Sequence, residues 1–253
     1  MFGLSGRHVV ISGAGGGIGQ MLVAQFQAAG ARVTACDRDS AMLAKLSGVE
    51  PVVFELTDRA ATSAAMASII AKSGPPDVII GNAGFTRAET MADVGPKAWD
   101  DELAINLTGT YNLIAPALQP MIGAGGGSIV MIASVNGLAH YGNPAYSAAK
   151  AALLAYARAI AVEHGPQGIR ANCICPGSVR TPAWDHRIAK TPHLLEDVAR
   201  YYPLARLVTP TEVAQAALFL ASGLASGITG VALPVDAGLT AGNRRFVDEI
   251  IGA

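Results

Sequence analysis

The sequence lacks the features that mark membrane, metal-binding and nucleic-acid-binding proteins. No run approaches the ~18 consecutive apolar residues of a transmembrane helix, and the first residues lack the apolar segment of a secretory leader. Charged residues make up only 15% of the chain and the net charge is −1, so neither nucleic acid nor a membrane is expected as a partner. The five histidines show no HExxH or similar spacing, so no metal is expected.

Cysteine is scarce as well. The three cysteines, Cys36, Cys173 and Cys175, lie in apolar, strand-like runs and form no CxxC pair. An odd number of cysteines in such runs is typical of reduced core residues. The sequence therefore predicts free, buried thiols and a cytoplasmic protein.

What the chain does have is an alternation of short apolar runs with longer helical patterns. At 253 residues and 51% hydrophobic content, with no linker, residues 1–253 are predicted to form a single domain. Most strand candidates are apolar on both faces, as in a parallel sheet covered by helices on each side. The predicted strands are 8–12, 32–36, 52–54, 77–81, 128–133, 169–175 and 229–235. The predicted helices are 18–29, 59–72, 97–121 with a kink at Pro116, 145–164 and 211–221. This order predicts a doubly wound α/β fold with its ligand crevice at the carboxyl ends of the strands.

A glycine-rich turn, SGAGGGIGQ, follows the first predicted strand. Gly13, Gly17 and Gly19 form a GxxxGxG pattern, which differs from GxGxxG but has the same physical basis. Glycines allow a tight turn and let the backbone approach a pyrophosphate at the helix N-terminus. The turn therefore predicts a dinucleotide site.

Asp37 ends the second predicted strand. A carboxylate there would accept hydrogen bonds from an adenine ribose and repel a 2′-phosphate, which favours NAD. Asp37 could also be a helix N-cap, and the neighbouring Arg38 is a signal for NADP. Asp58, after the third strand, could contact the adenine amino group or only cap the next helix.

Small residues after the later strands extend this candidate site. Asn82, Ala83 and Gly84 follow the fourth strand and would let a cofactor lie flat against the strand ends. The sixth strand is followed by Pro176, Gly177, Ser178, Val179, Arg180 and Thr181. A backbone turn in this last segment could hold a carboxamide ring.

Residues 134–150 bring three reactive side chains together. Ser134 ends the fifth strand, while Tyr146 and Lys150 lie four residues apart in a helical run, about one turn, and so share a face. An ammonium can stabilise a phenolate and a hydroxyl can hold a substrate oxygen, which makes a proton-transfer group. Tyr and Lys at this spacing also occur on ordinary solvated helices. Asn106, in the middle of the long fourth helix, would by itself be read as a surface residue.

Taken together, these motifs resemble the short-chain dehydrogenase/reductase family, in its single-domain, NAD-dependent branch with a Rossmann-type fold. The resemblance covers about 4–242. It rests on SGAGGGIG (12–19), Asp37, Asp58, NAG (82–84), Asn106, Ser134, YSAAK (146–150), PGSVRT (176–181) and LPVDAG (233–238). Departures are small: Ser12 replaces a usual Thr, Gly81 a frequent Asn, and the Ser134–Tyr146 loop is slightly short.

The resemblance implies a role for each site residue. Tyr146 would be the catalytic acid/base, Lys150 would lower the Tyr146 pKa and bind the nicotinamide ribose, and Ser134 would orient the substrate oxygen. Asn106 would hold a water that links Lys150 to solvent. The implied cofactor contacts are Gly13, Gly17, Ile18, Gly19, Asp37, Asp58, Asn82, Ala83, Gly84, Tyr146, Lys150, Pro176, Gly177, Val179 and Thr181. The family also implies a homo-oligomer, a tetramer or dimer.

Residues 182–208 resemble the family's substrate lid. We expect substrate contacts from Ser134, Tyr146, and the polar or aromatic residues Asn136, His140, Trp184 and His186. Polar groups there favour a polyol or sugar as the small-molecule alcohol or ketone substrate, although the same side chains could be solvated loop residues. An apolar ketone or a 3-oxoacyl substrate is the alternative within the enzyme class. A catalytically silent NAD-binding regulator is the alternative outside it, although the Asn–Ser–Tyr–Lys set is complete.

Overall fold

The computed structural model describes residues 2–86, 90–181, 184–191 and 193–252, without the side chains of His186 and Arg187. Within these residues, seven strands form one parallel sheet. The strands are β1 (His8–Ser12), β2 (Arg32–Asp37), β3 (Glu50–Val53), β4 (Val78–Gly81), β5 (Gly127–Ile132), β6 (Ile169–Pro176) and β7 (Ala232–Val235). Each overlaps a predicted strand, and the predicted α/β class is confirmed.

The strand order is β3-β2-β1-β4-β5-β6-β7. The order reverses between β1 and β4, because β2 and β3 lie on one side of β1 and β4 to β7 lie on the other. At such a switch point the loops that follow adjacent strands diverge and leave a crevice at the carboxyl ends. The predicted crevice therefore lies beside β1, β2, β4, β5 and β6.

The helices of the described residues connect and cover these strands. They are α1 (Gly17–Ala28), α2 (Ser40–Leu43), α3 (Arg59–Ser73), α4 (Pro96–Leu103), α5 (Gly109–Gly123), α6 (Pro144–His164), α7 (Asp185–Lys190), α8 (Leu194–Ala199), α9 (Pro210–Ala221) and α10 (Arg244–Phe246). The alternation of side chains along each strand divides the core in two. Val9 and Ile11 of β1 pack under α1 and α9, whereas Val10 packs under α3, α5 and α6.

The predicted long helix 97–121 contains an irregularity that the sequence pattern did not reveal. Helix α4 passes into α5 through one π turn, Ala104–Thr108. The helix then continues through Pro116 to Gly123. A π turn holds one extra residue and turns nearby side chains relative to a regular helix, and this one contains Asn106.

Candidate active site

A cavity of about 330 Å³ lies at the switch point. Its lining comes from the ends of β1, β2, β3 and β4. Of the predicted cofactor residues, it contains Gly13, Gly17, Ile18, Gly19, Asp37, Asn82, Ala83, Gly84 and Thr181. Ser12, Gly16, Cys36, Arg38, Phe54, Glu55, Leu56, Phe85 and Ile105 also line it and were not predicted. The signal for this second set is position alone, because each residue lies beside a predicted one or at a strand end.

The glycine turn is shaped by close backbone contact. A Cβ on Gly19 would lie 2.0 Å from the carbonyl oxygen of Gly13, and Gly13 itself has φ +61°, a conformation that favours glycine. Gly16, the N-cap of α1, provides no side-chain cap. The first N–H groups of α1 are therefore available to an anion, at the positive end of the helix dipole. The turn fits a dinucleotide pyrophosphate.

Asp37 is held firmly at one end of this cavity. One carboxylate oxygen accepts a hydrogen bond from the backbone N–H of Gly15 at 3.0 Å, and the other accepts from the N–H of Asp39 at 3.1 Å. Asp39, not Asp37, caps α2. The guanidinium of Arg38 lies 3.5 Å from the carboxylate of Glu55.

Asp58 has one of the two roles that its position in the sequence left open. Asp58 is the N-cap of α3, and its side chain accepts a hydrogen bond from the N–H of Ala61 at 2.9 Å. Its side chain does not line the cavity; Glu55 and Leu56 do. Because β3 ends at Val53, the chain has already turned into α3 by position 58. The capping interpretation of Asp58 is therefore confirmed, and the adenine contact stays a prediction.

Ser134, Tyr146 and Lys150 converge on a second cavity of about 310 Å³. It is continuous in lining with the first through Ile18, Asn82, Gly84 and Thr181, and it also contains the predicted cofactor residues Pro176, Gly177 and Val179. The Nζ atom of Lys150 lies 5.3 Å from the ring centroid of Tyr146 and donates a hydrogen bond to the carbonyl oxygen of Ile132 at 2.9 Å. The sequence therefore identified three groups that the fold does bring together.

Burial changes the acidity of both titratable groups. Desolvation raises the pKa of Tyr146 to about 12, although its hydrogen bond with Ser134 opposes the rise and the negative charge of Glu102 adds to it. Desolvation lowers the pKa of Lys150 to about 8. Although the net shift is upward, the hydrogen bond with Ser134 acts to lower the Tyr146 pKa. The lowering effect predicted for Lys150 stays a prediction.

Asn106 is fully buried, which is opposite to what its residue type alone suggested. Its Nδ2 atom donates to the carbonyl oxygens of Phe85 at 2.7 Å and Glu102 at 3.0 Å. Its Oδ1 atom accepts from the N–H of Phe85 at 3.2 Å. A Cβ on Gly84 would lie 2.6 Å from that Oδ1 atom and 3.2 Å from the Nζ atom of Lys150. Asn106 thus lies close to Lys150 and fixes the segment after β4.

A third cavity, of about 580 Å³, opens beside Ser134 and Tyr146. Of the predicted substrate contacts, Asn136 and Trp184 line it. The side chain of His186 lies outside the described residues. Residues from five segments complete the lining: Thr86, Val135, Tyr141, Asn143, Gly177, Ser178, Val198, Tyr201, Tyr202 and Leu239.

One predicted substrate residue, His140, lies away from the cavities, and another, Asn136, has an additional contact. His140 is exposed and lines none of the three cavities, because the chain turns outward after the short 3₁₀ turn Val135–Gly137. Asn136 directs its Nδ2 atom to the carbonyl oxygen of Gly142 at 2.8 Å and the hydroxyl of Ser147 at 3.1 Å. Its Oδ1 atom accepts from the hydroxyl of Ser134 at 3.3 Å. Asn136 therefore positions Ser134 as well as lining the cavity.

Within the parts of the chain that the structure covers, no His, Cys, Asp or Glu side chains form a group of three or more that could hold a metal ion. Across those same residues, none of the helices has both the length and the apolar character needed to span a membrane.

Comparison with known proteins agrees with this geometry. A family model described as enoyl-(acyl carrier protein) reductase matches residues 13–240. A crystal structure of an oxidoreductase of the short-chain dehydrogenase/reductase family from Burkholderia thailandensis is 45% identical, with a TM-score of 0.93 and 98% of each chain covered. The chain belongs to the short-chain dehydrogenase/reductase family. It is therefore an oxidoreductase, as its site predicted.

Other relatives show how broad this membership is. An uncharacterized oxidoreductase of Schizosaccharomyces pombe is 40% identical over 254 residues, covering 98% of this chain and 96% of that protein. A 3-oxoacyl-[acyl-carrier-protein] reductase of Thermotoga maritima is 34% identical over 248 residues, covering 93% and 98%. The structure of another relative, ElxO with NADP bound, is 25% identical with a TM-score of 0.89, covering 94% and 100%. Members of the family bind a nicotinamide cofactor, and the glycine turn and cavities of this chain fit one.

Proposed function

We propose that this dehydrogenase/reductase interconverts a polyol or sugar and its ketone, with NAD(H) as cofactor. The observation that supports the substrate class is the set of polar side chains that line the 580 Å³ cavity beside Ser134 and Tyr146. Besides Ser134 and Tyr146, hydroxyl and amide groups in the lining come from Thr86, Asn136, Tyr141, Asn143, Ser178, Tyr201 and Tyr202. Buried or half-buried polar groups favour ligands that satisfy their hydrogen bonds, and a polyol does so better than an apolar alcohol.

The residues of the chain supply the proton chemistry. Tyr146 takes the proton from the substrate hydroxyl during oxidation and returns it during reduction. Ser134, held by Asn136, hydrogen-bonds the same substrate oxygen. Lys150 places a cation beside the phenol ring, 5.3 Å from its centroid, and Asn106 carries a water between Lys150 and solvent. The nicotinamide cofactor, when bound, accepts or supplies the hydride.

The choice of NAD over NADP rests on Asp37. Its carboxylate lines the first cavity and is fixed by the N–H groups of Gly15 and Asp39. A fixed carboxylate accepts hydrogen bonds from a free ribose and repels a 2′-phosphate. Arg38, the counter-signal in the sequence, lies near the carboxylate of Glu55, which offsets part of its positive charge.

Replacing Tyr146 by Phe tests the mechanism. We expect NADH formation from a polyol to fall about 10²- to 10⁴-fold, the usual worth of a general acid/base, because the ring stays and only the hydroxyl is lost. Absorbance assays with sugars, polyols and simple secondary alcohols measure turnover, and NADH fluorescence measures cofactor binding. The control is Tyr156→Phe, ten residues further along α6, where the ring packs on Tyr111. Near-normal turnover by Tyr146→Phe would contradict the assignment.

Replacing Asp37 by Ser tests the cofactor. Removing the carboxylate is expected to raise kcat/KM with NADP⁺ by about tenfold or more, equivalent to roughly 1.4 kcal/mol of relieved repulsion. The double variant Asp37→Ser, Arg38→Ala is expected to gain less, since the repulsion is still relieved but the attraction of Arg38 for the 2′-phosphate is lost. A wild-type preference for NADP⁺ would overturn the proposal outright.

A second candidate activity is reduction of a 3-oxoacyl thioester. It is favoured by the similarity to the T. maritima reductase and by the apolar part of the third cavity, Val135, Val198 and Leu239. NADPH consumption with acetoacetyl-coenzyme A, with no turnover of polyols, would support it. NAD⁺ binding without turnover on any substrate would instead support a silent regulator.

We further propose that the protein is a cytoplasmic homo-oligomer. All three cysteines are free and buried, which suits a reducing compartment. The last helical turns expose Phe246, Val247, Ile250 and Ile251, a run of apolar side chains that a second copy could cover. Light scattering of the purified protein measures its mass and would contradict the assembly if it gave a monomer.

A further inference from the structure

A buried carboxylate lies beside the site without a part in the proposed reaction. Glu102, on α4, is 1% exposed. It stands one turn before Asn106, whose Nδ2 atom donates to the Glu102 carbonyl oxygen. Burying a carboxylate is costly unless hydrogen bonds compensate for the lost water. The hydrogen bonds of the Glu102 carboxylate therefore matter for the residues that make them.

One of these groups belongs to the substrate cavity. The hydroxyl of Thr86 donates a hydrogen bond to the Oε1 atom of Glu102 at 2.8 Å. Thr86 lines both the cavity of Ser134, Tyr146 and Lys150 and the larger substrate cavity. The two residues thus connect a buried charge on α4 to the place where the substrate is expected.

The direction of this hydrogen bond determines what Thr86 offers to a ligand. A hydroxyl has one proton to donate and two lone pairs that accept. An ionised carboxylate only accepts, so the Thr86 proton is committed to Glu102. Towards the cavity, Thr86 can then act only as an acceptor, and a charged partner makes that orientation stronger than one set by a neutral group.

We propose that Thr86, oriented by Glu102, accepts a hydrogen bond from a second hydroxyl of the substrate and so sets the specificity for polyols. Ser134 and Tyr146 bind the reacting oxygen, and Thr86 binds another oxygen that carries a hydrogen. A simple secondary alcohol has no second donor. A 3-oxoacyl thioester presents a carbonyl oxygen, which cannot donate to Thr86. This inference rests on the proposed polyol function and names the residues that select for it.

The test compares 2,3-butanediol with 2-butanol, which differ by one hydroxyl. The wild-type enzyme is expected to have the higher kcat/KM for the diol. In Thr86→Val the ratio of the two kcat/KM values should fall about five- to tenfold, the usual worth of one hydrogen bond. Thr86→Ser, which keeps the hydroxyl, should restore the ratio to within about twofold. Thr57→Val, a threonine that lines none of the three cavities, is the matched control.

Glu102→Met tests the positioning role. Without the acceptor the Thr86 hydroxyl can rotate, so the ratio of kcat/KM for the diol to that for 2-butanol should fall about threefold or more. The double variant Glu102→Met, Thr86→Val should have the same ratio as Thr86→Val alone. Circular dichroism shows that each variant is folded. A diol preference in the wild type that survives Thr86→Val would overturn the inference alone. Equal activity on both alcohols, or none on either, would overturn the polyol function and this inference with it.

Discussion

Tyr146 lies in surroundings that oppose the charge its proposed role requires. Burial raises the pKa of its hydroxyl to about 12, and Ser134 is the neighbour that lowers it. Burial lowers the pKa of Lys150 to about 8. Above that pH, Lys150 therefore loses the positive charge that would stabilise a Tyr146 phenolate. At the residue scale, the proposed acid/base role of Tyr146 therefore depends on the balance between burial and a few neighbouring groups.

Replacing Glu102 by Gln is expected to shift alcohol oxidation to lower pH. After burial, the charge of Glu102 and the thiol of Cys175 raise the pKa of Tyr146, whereas Ser134 lowers it. Gln is neutral and keeps an acceptor for Thr86. With the negative charge gone, the Tyr146 pKa falls and the reactive phenolate forms at lower pH. The measurement is kcat/KM for oxidation as a function of pH.

A suitable control for that shift is Asp101→Asn, the neighbouring residue on α4. The Asp101 carboxylate pairs with Lys97 on the surface and is not among the groups that change the Tyr146 pKa. Its profile should match the wild type. If the Glu102→Gln midpoint stayed in place or moved to higher pH, the charge of Glu102 would not be acting on Tyr146.

Single residues were predictable from sequence where their position relative to a strand end was clear. Ser134 and Asp37 follow strands whose ends are well marked, and both line the cavities. Asp58 had two roles open from sequence, and the structure shows its capping role because β3 ends at Val53 and α3 begins at Arg59. Thr86 was missed because a threonine two residues after NAG has no distinctive signal until its partner Glu102 is known from the fold.

At the scale of elements, hydrophobic pattern was enough to locate the strands and main helices. The run at 8–12 is β1 without any change of boundary, and 145–164 is α6 within one residue. The secondary structure of such runs follows from which of their residues are buried, and the hydrophobic pattern of the sequence shows this directly. The small helices α7 and α8, in the predicted lid, have only six residues each and were not predicted, since so short a helix leaves little periodicity.

The π turn shows what pattern does not record. Asn106 is disfavoured inside a regular helix, and residue type predicted a surface position. In the structure, Asn106 is buried because its side-chain amide hydrogen-bonds to the backbone N–H and carbonyl oxygen of Phe85 instead of to water. Phe85 lies 21 residues away in sequence. A long-range partner of this kind is set by the packing of elements, which no local window contains.

Helix α1 provides the element-scale prediction. Gly19→Ala should abolish or severely weaken NADH binding, because the added Cβ would lie 2.0 Å from the carbonyl oxygen of Gly13. Both contacting atoms belong to the turn, so the start of α1 must move and its N–H groups leave the pyrophosphate position. The loss is measured by NADH fluorescence titration, with an expected increase in Kd of at least about tenfold.

Gly16→Ala is the matched comparison in the same turn. Its Cβ would meet the Gly13 carbonyl oxygen at 3.4 Å, which is ordinary contact. NADH should therefore bind this variant much more tightly than Gly19→Ala. Equal losses in the two variants would mean that any side chain in the turn blocks the cofactor, rather than that the turn itself has moved.

At the scale of the whole molecule, the site exists only when the sheet is complete. Its residues come from the ends of β1, β2, β4, β5 and β6, from the first turns of α6 and from the π turn. The parallel strands are separated by entire helices in the chain. The same packing buries three thiols, Cys36, Cys173 and Cys175. Their ordinary pKa of 9.0 is raised in the fold, to about 12 for Cys173 and about 11 for Cys175, chiefly by desolvation.

These thiols predict a loss of stability at alkaline pH. Above about pH 9 the unfolded chain releases thiol protons that the folded chain retains, so each thiol lowers the free energy of unfolding by ~1.36 kcal/mol per pH unit. Cys173 keeps its protons until about pH 12 and Cys175 until about pH 11. Urea unfolding in reducing buffer at a series of pH values measures the slope.

Lys150 works in the opposite direction over part of this range. Its pKa is about 8 in the fold and 10.5 ordinarily, so between those values the unfolded chain binds the extra proton and stability rises with pH. Three thiols outweigh one lysine, and the net slope should be negative above about pH 9 and steeper above about pH 10.5. In Cys173→Ala the free energy of unfolding should fall less steeply with pH than in the wild type, by the ~1.36 kcal/mol per pH unit of one thiol. This holds even if the variant is less stable at neutral pH. A slope that the variant leaves unchanged would mean that Cys173, although packed with its Sγ atom 3.5 Å from the Leu153 carbonyl oxygen, ionises in the folded protein as readily as in the unfolded chain.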